Sequence, residues 1–307
     1  MQCTFARSAR IMMSGRRGAK EARERRDRIM AKTWLITGCS EGGIGEGIAR
    51  AVLEHGDNAV VTARTTAKVE GIVADYPEQA LAVALDLTQQ DSIDAAYEAA
   101  VAKFGQVDVL VNNAGYCYRS SVEEADPAGV QAMFDTNFFG MVAMIKKVLP
   151  GMRERRDGAI VNVSSIGAVR TGAASGYYAA TKAAVELMTE GLVAEVAPLG
   201  IKAMIVEPGA FRTHFYDTSL KGSKNTVGDY AQTAHLRSVE QNVNARQQPG
   251  DPLKAGYPII KAIEADDTPL RLYLGSDALA AVRGALNARL EELEKWAEVS
   301  VTTDFDA

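Results

Sequence analysis

A tyrosine and a lysine stand four residues apart in YYAATK, at Tyr178 and Lys182. On a helix that spacing puts both on one face. A phenol with an ordinary pKa of ~10 is a weak acid–base catalyst near neutrality. An adjacent ammonium favours the phenolate and lowers that pKa, so the pair could exchange a proton with a carbonyl or alcohol oxygen. Tyr-x-x-x-Lys alone is common on surface helices, and its weight here comes from its company. NVSS, ending at Ser165, lies thirteen residues before Tyr178, and NNAG at 112–115 lies further upstream. Tyr177 lacks the spacing to Lys182 and reads as a packing or pocket-lining residue.

A second constellation suits a phosphate-bearing ligand. TGCSEGGIG occupies 37–45, directly after an apolar run and before a helical stretch. Glycines there permit a tight turn, and a helix N-terminus offers free N–H groups and a positive dipole end to a pyrophosphate. About 20 residues on, an acid commonly binds the adenosine ribose. Here VVTAR places Ala63 at that point and Arg64 after it. A guanidinium is permanently charged and forks onto phosphate oxygens, which predicts NADP(H) in preference to NAD(H).

These residues need elements to hold them. Short apolar runs at 33–37, 59–63, 80–85, 107–111, 159–163, 202–206 and 270–274 read as strands. Most are rich in Val, Ile and Leu with little alternation, as strands covered on both faces are. Amphipathic stretches at 44–55, 92–104, 128–149 and 178–197 read as helices between them. Strand–helix–strand at this pitch predicts an α/β fold: one doubly wound, Rossmann-type parallel sheet of about seven strands, helices on both faces, in a single domain. Residues 210–250 break the rhythm with Gly, Ser, Asn and Gln, the composition of a segment covering a site. Phe211, Phe215 and Tyr216 could make it an apolar lid, and His214 could reach substrate, although solvent exposure is its plainer reading. A helix restarts near Asp251 and Pro252. A last helix, 277–296, carries Leu279, Val282, Leu286, Leu290 and Leu293 on one face.

Composition narrows the function. The 307 residues are 47% apolar and 24% charged, with a formal net charge of −5. Residues 1–30 hold nine Lys and Arg against three Asp and Glu, a net +6, and the other 277 residues carry a net −11. An acidic body argues against a nucleic-acid-binding domain. Residues 1–30 lack the apolar region of a secretory signal and read as a basic, unstructured extension, with the folded domain at 31–307. No run is long enough for a membrane span. Three cysteines are too few for a disulfide framework and fit a reducing, cytoplasmic setting. Cys39 and Cys117 fall near the expected cofactor and read as small fillers. The histidines have no metal-ligand spacing, so no metal is expected.

The glycine turn, NNAG, the serine of NVSS and Tyr-x-x-x-Lys fall in order at the right elements. In this the sequence resembles the short-chain dehydrogenase/reductase family over essentially all of 31–307. The resemblance implies roles. Tyr178 would be the acid/base, Lys182 would bind the nicotinamide ribose and lower the tyrosine pKa, and Ser165 would hold the substrate oxygen. Asn137, in MFDTNFFG, would hold a proton-relay water. Thr37, Gly38, Ser40, Gly43, Ile44, Gly45, Arg64, Asp86, Leu87, Asn113, Ala114, Gly115, Pro208, Gly209 and Thr213 would contact the cofactor, together with Tyr178 and Lys182. The glycine turn has one residue more than the family's usual one: read backward, Gly42 is the addition; read forward, Gly42 takes the middle place. The implied activity is hydride transfer between NADP(H) and a carbonyl/alcohol pair, in the manner of the steroid, retinoid and lipid-type ketone reductases. A homodimer or homotetramer is implied too. The alternatives are NAD-linked alcohol or polyol oxidation and, in a different class, a non-catalytic dinucleotide sensor. The intact Asn137, Ser165, Tyr178 and Lys182 set speaks against the sensor.

Overall fold

Each of the seven apolar runs becomes a strand, and all seven pair in parallel. The computed structural model describes residues 31–216, 220–243 and 247–305. The basic extension expected at 1–30 lies outside the described residues. The main sheet comprises β1 (Thr33–Ile36), β2 (Asn58–Ala63), β3 (Ala80–Ala84), β4 (Val109–Asn112), β6 (Gly158–Val163), β7 (Ile201–Pro208) and β9 (Arg271–Leu274). Their order across the sheet is β3-β2-β1-β4-β6-β7-β9. The chain order reverses between β1 and β4, and a crevice opens at such a switch point beyond the carboxyl ends of the strands. Strands β1, β4 and β6 are buried throughout, whereas the edge strands β3 and β9 are largely half-buried.

Two apolar layers cover the sheet. On one side Trp34, Ile36, Val109 and Val111 pack with Ile48 and Val52 of α1 (Ile44–His55) and Ile259 and Ile263 of α8 (Gly256–Glu264). On the other, Leu35 and Leu110 meet Ile93 of α3 (Gln90–Phe104), Met144 and Val148 of α5 (Gly140–Arg155), and Val185 and Leu192 of α6 (Gly176–Val196). Alternate strand residues therefore serve opposite layers. A short helix α2 (Glu70–Asp75) precedes β3.

Four features depart from the expectation. The single helix expected at 128–149 is two, α4 (Pro127–Phe134) and α5, joined by a π-turn at Asp135–Phe139 that contains Asn137. A small parallel pair, β5 (Cys117–Arg119) with β8 (Leu220–Gly222), ties the covering segment to the chain after NNAG. That segment also holds a further π-turn at Ala231–His235, and α7 (Leu236–Val243) follows it. Finally, the last helix, α9 (Ser276–Ser300), buries Ala278 and Val282 but leaves Leu279, Leu286, Leu290 and Leu293 each about half exposed or more. Its apolar face is not core in this chain.

Candidate active site

The carboxyl ends of the strands bring the expected residues together. After β1, Thr37 is fully buried, and its hydroxyl oxygen accepts from the N–H groups of Asn113 (2.9 Å) and Ala114 (3.0 Å). The Asn113 amide nitrogen donates to the carbonyls of Thr37 and Gly38, each at 2.9 Å. The NNAG segment thus clamps the glycine turn, and the Asn113 side chain is committed to that brace.

Within the turn, Gly38 has φ +73 and Gly42 has φ +72, conformations open to glycine. Gly43 caps α1 without a side-chain bond, so the first N–H groups of the helix are not closed off by a cap side chain. A Cβ on Gly45 would stand 2.3 Å from the Gly38 carbonyl oxygen and 2.5 Å from the Asn113 amide nitrogen. Gly38 and Gly42 thus supply the left-handed backbone of the turn, Gly43 the cap and Gly45 the close approach. Two further side chains shape this turn. Glu46 accepts from the Gly42 N–H at 2.7 Å. The exposed His214 ring lies over Gly42, where an added Cβ would come within 2.5 Å of it. Its place is on the glycine turn.

Arg64 is exposed at the end of β2. Asp86, after β3, accepts from the Thr88 N–H at 2.9 Å and from its hydroxyl at 2.7 Å. Those bonds, with the Arg64 charge adding to them, hold the Asp86 carboxyl below the usual carboxylate range. Leu87 is buried against Gly140. An uncapped helix end, a glycine-rich turn and a cation beyond β2 suit a dinucleotide.

The residues expected to react lie beyond β4 and β6. Lys182 is almost fully buried, and its ammonium donates to the Val163 carbonyl at 2.8 Å. Its nitrogen stands 6.0 Å from the centre of the Tyr178 ring. Burial pulls the Lys182 pKa down to about 8. The Ser165 hydroxyl accepts from the Gly167 N–H at 3.0 Å and caps the short turn Ile166–Ala168. A Cβ placed on Gly167 would meet the Ser165 oxygen at 3.3 Å and the Tyr178 ring at 3.4 Å, so both side chains border one point. Asn137 spends its side chain on Tyr116: its oxygen accepts from the Tyr116 N–H at 3.0 Å and its nitrogen donates to the Tyr116 carbonyl at 2.8 Å. The Asn137 oxygen and the Lys182 nitrogen also flank Gly115.

Pro208 ends β7, and the Gly209 N–H donates to the Leu274 carbonyl at 2.9 Å. The Thr213 hydroxyl accepts from the Phe215 N–H at 3.2 Å, and the Phe215 ring lies 5.8 Å from that of Tyr178. Phe211 is buried, while the Tyr216 side chain lies outside the described ones. Cys39 and Cys117 are buried, and burial pushes their thiols up to about 12 and about 11. Thiols so raised stay protonated and are poor nucleophiles.

Sequence reasoning did not find the polar groups behind this site. Ser164 donates to Glu186 at 2.9 Å and to the Lys182 carbonyl at 3.2 Å. Arg271 faces Glu186 and Glu207 and bonds Glu190. Glu207 is fully buried, and burial, reinforced by Glu186, pushes its carboxyl up to about 8. The covering segment is held by Glu124, whose carboxylate accepts from Ser121 (2.6 Å) and from the Val227 N–H (2.5 Å) and stands 2.8 Å from the His235 ring nitrogen. Those partners hold its carboxyl down at about 2.

A switch-point crevice with a glycine turn, and a tyrosine beside a buried lysine, define a dinucleotide-dependent oxidoreductase. Comparison with known proteins agrees. The family described as short chain dehydrogenase matches residues 32–223. An oxidoreductase (BOA17) from Botryotinia fuckeliana is 34% identical over 277 residues, covering 89% of this chain and all of that one. A 3-ketodihydrosphingosine reductase from Bacteroides thetaiotaomicron is 36% identical over 245 residues, covering 78% of this chain and 87% of its own. The crystal structure of a short-chain dehydrogenase from Streptomyces avermitilis superposes with a TM-score of 0.82 at 42% identity, covering 89% and 98% of the two chains. The chain belongs to the short-chain dehydrogenase family. It is an oxidoreductase acting on CH–OH groups with a nicotinamide dinucleotide. Related structures hold NADH in one case and NADP in another. Among the described residues no helix is long and apolar enough to cross a membrane.

Proposed function

We propose that the protein reduces a ketone or aldehyde to the alcohol with NADPH, Tyr178 delivering the proton. The observation that carries this reading is the buried Lys182 ammonium, anchored on the Val163 carbonyl beside the Tyr178 ring. Bound NADPH would supply the hydride. Lys182 favours the phenolate left when Tyr178 gives its proton to the substrate oxygen. Ser165 borders the same point and would orient that oxygen. Arg64 would fork onto the 2′-phosphate, and Thr37, Gly38, Ser40, Gly43, Ile44, Gly45, Asn113, Ala114 and Gly115 would shape the cradle. The loop of Pro208, Gly209 and Thr213 would close over the nicotinamide. Asn137 supports the proton path by fixing Tyr116 and the floor near Gly115.

Phe215 against Tyr178 and buried Phe211 favour an apolar substrate of some size. The Bacteroides relative, named for a ketone, supports the same class. Exposed Phe139 before α5 and Leu187 on α6 support assembly of a homodimer or homotetramer through those helices. A cytoplasmic location and a dispensable segment at 1–30 complete the reading. The test is NADPH oxidation across ketones and aldehydes of graded size, with dissociation constants for NADPH and NADH. Turnover of larger apolar ketones and tighter NADPH binding are expected. Turnover of none, or equal binding, would refute the reaction or the cofactor assignment respectively.

A further inference from the structure

Among the described residues the carboxylates buried near the site have partners, whereas two buried cations, Lys182 and Arg119, face no carboxylate. Lys182 has the Val163 carbonyl, Glu124 has Ser121, Val227 and His235, and Glu186 has Ser164 and Arg271. Arg119, on β5, is only 8% exposed, yet no carboxylate of the described residues lies within ion-pairing distance of it. Its one side-chain bond runs from Nη1 to the Ser175 hydroxyl at 3.4 Å, and its buried Nε has no partner. A buried charge without a counter-charge is costly, and folded proteins rarely retain one.

The position of this cation is informative. Arg119 and Cys117 alternate with Tyr118 along β5, so they share a face. Tyr118 points the other way, where its hydroxyl accepts from the Asp126 N–H at 3.0 Å. The buried Cys117 thiol feels the charges of both Arg119 and Lys182. Ser175 directly precedes α6, and Tyr178 follows it by three residues, a rise of about 4.5 Å along a helix. The guanidinium therefore reaches the residue that stands three positions before the acid/base, on a strand that pairs alongside β8 of the covering segment.

We propose that Arg119 is a substrate-recognition residue that pairs with a carboxylate, so that the substrate is an oxo acid: an apolar chain with a carbonyl at Tyr178 and an acid group at Arg119. A planar guanidinium fork matches a carboxylate in two parallel hydrogen bonds. The carboxylate supplies the counter-charge that the fold omits. This rests on the ketone-reductase reading for the carbonyl end, but not for the anion site itself.

The two can be tested apart. Hexanoate and its neutral near-isostere hexanamide are titrated by calorimetry into the NADP-saturated protein and into Arg119→Met. Hexanoate should bind the variant about tenfold more weakly or worse, the loss expected for a charge-assisted bond. Hexanamide should bind both alike, and Arg119→Lys should fall between for hexanoate. The melting temperature of Arg119→Met should be unchanged or higher, because an unpaired buried charge has gone. Equal hexanoate binding by the two proteins, equal loss of both probes, or an unfolded Arg119→Met would overturn the assignment. None of these readings requires turnover. Failure of the ketone-reductase reading would instead show as no reduction of any ketone, neutral or carboxylate-bearing, with the hexanoate result intact.

Discussion

The two sides of the crevice are held together by different means. On the cofactor side, the glycine turn is fixed by backbone: Thr37 and Asn113 bond only main-chain groups, and Gly45 packs on the Gly38 carbonyl. On the substrate side, the covering segment hangs on a few side chains. Glu124 binds Val227 and His235, residues 103 and 111 positions away, and the Ser223 hydroxyl donates to the Glu124 carbonyl. A backbone frame presents one fixed geometry, which suits an invariant cofactor. A segment pinned at discrete points can be re-cut for a new substrate without disturbing the sheet.

That contrast can be broken deliberately. Tyr178→Phe should have the largest effect, lowering ketone reduction by about 100- to 10,000-fold with NADPH affinity kept, as steady-state rates and fluorescence titration would show. Gly45→Ala strikes the cofactor frame. Its methyl group meets backbone that cannot yield, so a loss of about 1–3 kcal/mol of stability and of NADPH binding should appear in melting curves and titrations. Arg64→Ala should weaken NADPH about tenfold or more and leave NADH binding unchanged. Glu124→Gln loosens only the other side. It should raise KM for a bulky ketone several-fold and speed proteolysis within 210–250, with kcat and NADPH affinity held. Smallest, Leu290→Ser on the exposed face of α9 should leave stability within about 0.5 kcal/mol.

The same division explains what could be read in the sequence. The strands and their parallel order were legible because Val- and Ile-rich runs between amphipathic helices leave a local pattern. The glycine turn, Asn113, Ser165, Tyr178 and Lys182 were legible because each sits at the end of a strand or on the helix after it. The structure brings Ser165, Tyr178 and Lys182 into one neighbourhood. The π-turn at Asn137 was not legible, since one extra residue per turn hardly alters an amphipathic pattern. Glu124 with His235, and Glu207 with Arg271, were hidden because polar pairs distant in sequence leave no periodicity. The leucines of α9 misled for the opposite reason: a helical stripe predicts a covered face, and here the sheet is already covered by α1 and α8. Arg119 was silent because its meaning lies in the absence of a partner, which only packing reveals.

The central claim is that the buried Lys182 ammonium makes Tyr178 an acid fit to work near neutrality. It is tested most directly by the pH–rate profile of ketone reduction at saturating NADPH, for the wild-type protein and Lys182→Met. Burial lowers the Lys182 pKa to about 8, so the charge is present below that pH and lost as pH rises through it. The account predicts a wild-type rate that is steady near neutrality and falls above about pH 8. Lys182→Met should be slower by about 100-fold or more at pH 7 and should lack that limb. A folded Lys182→Met that keeps both the wild-type rate and the same fall above pH 8 would contradict it.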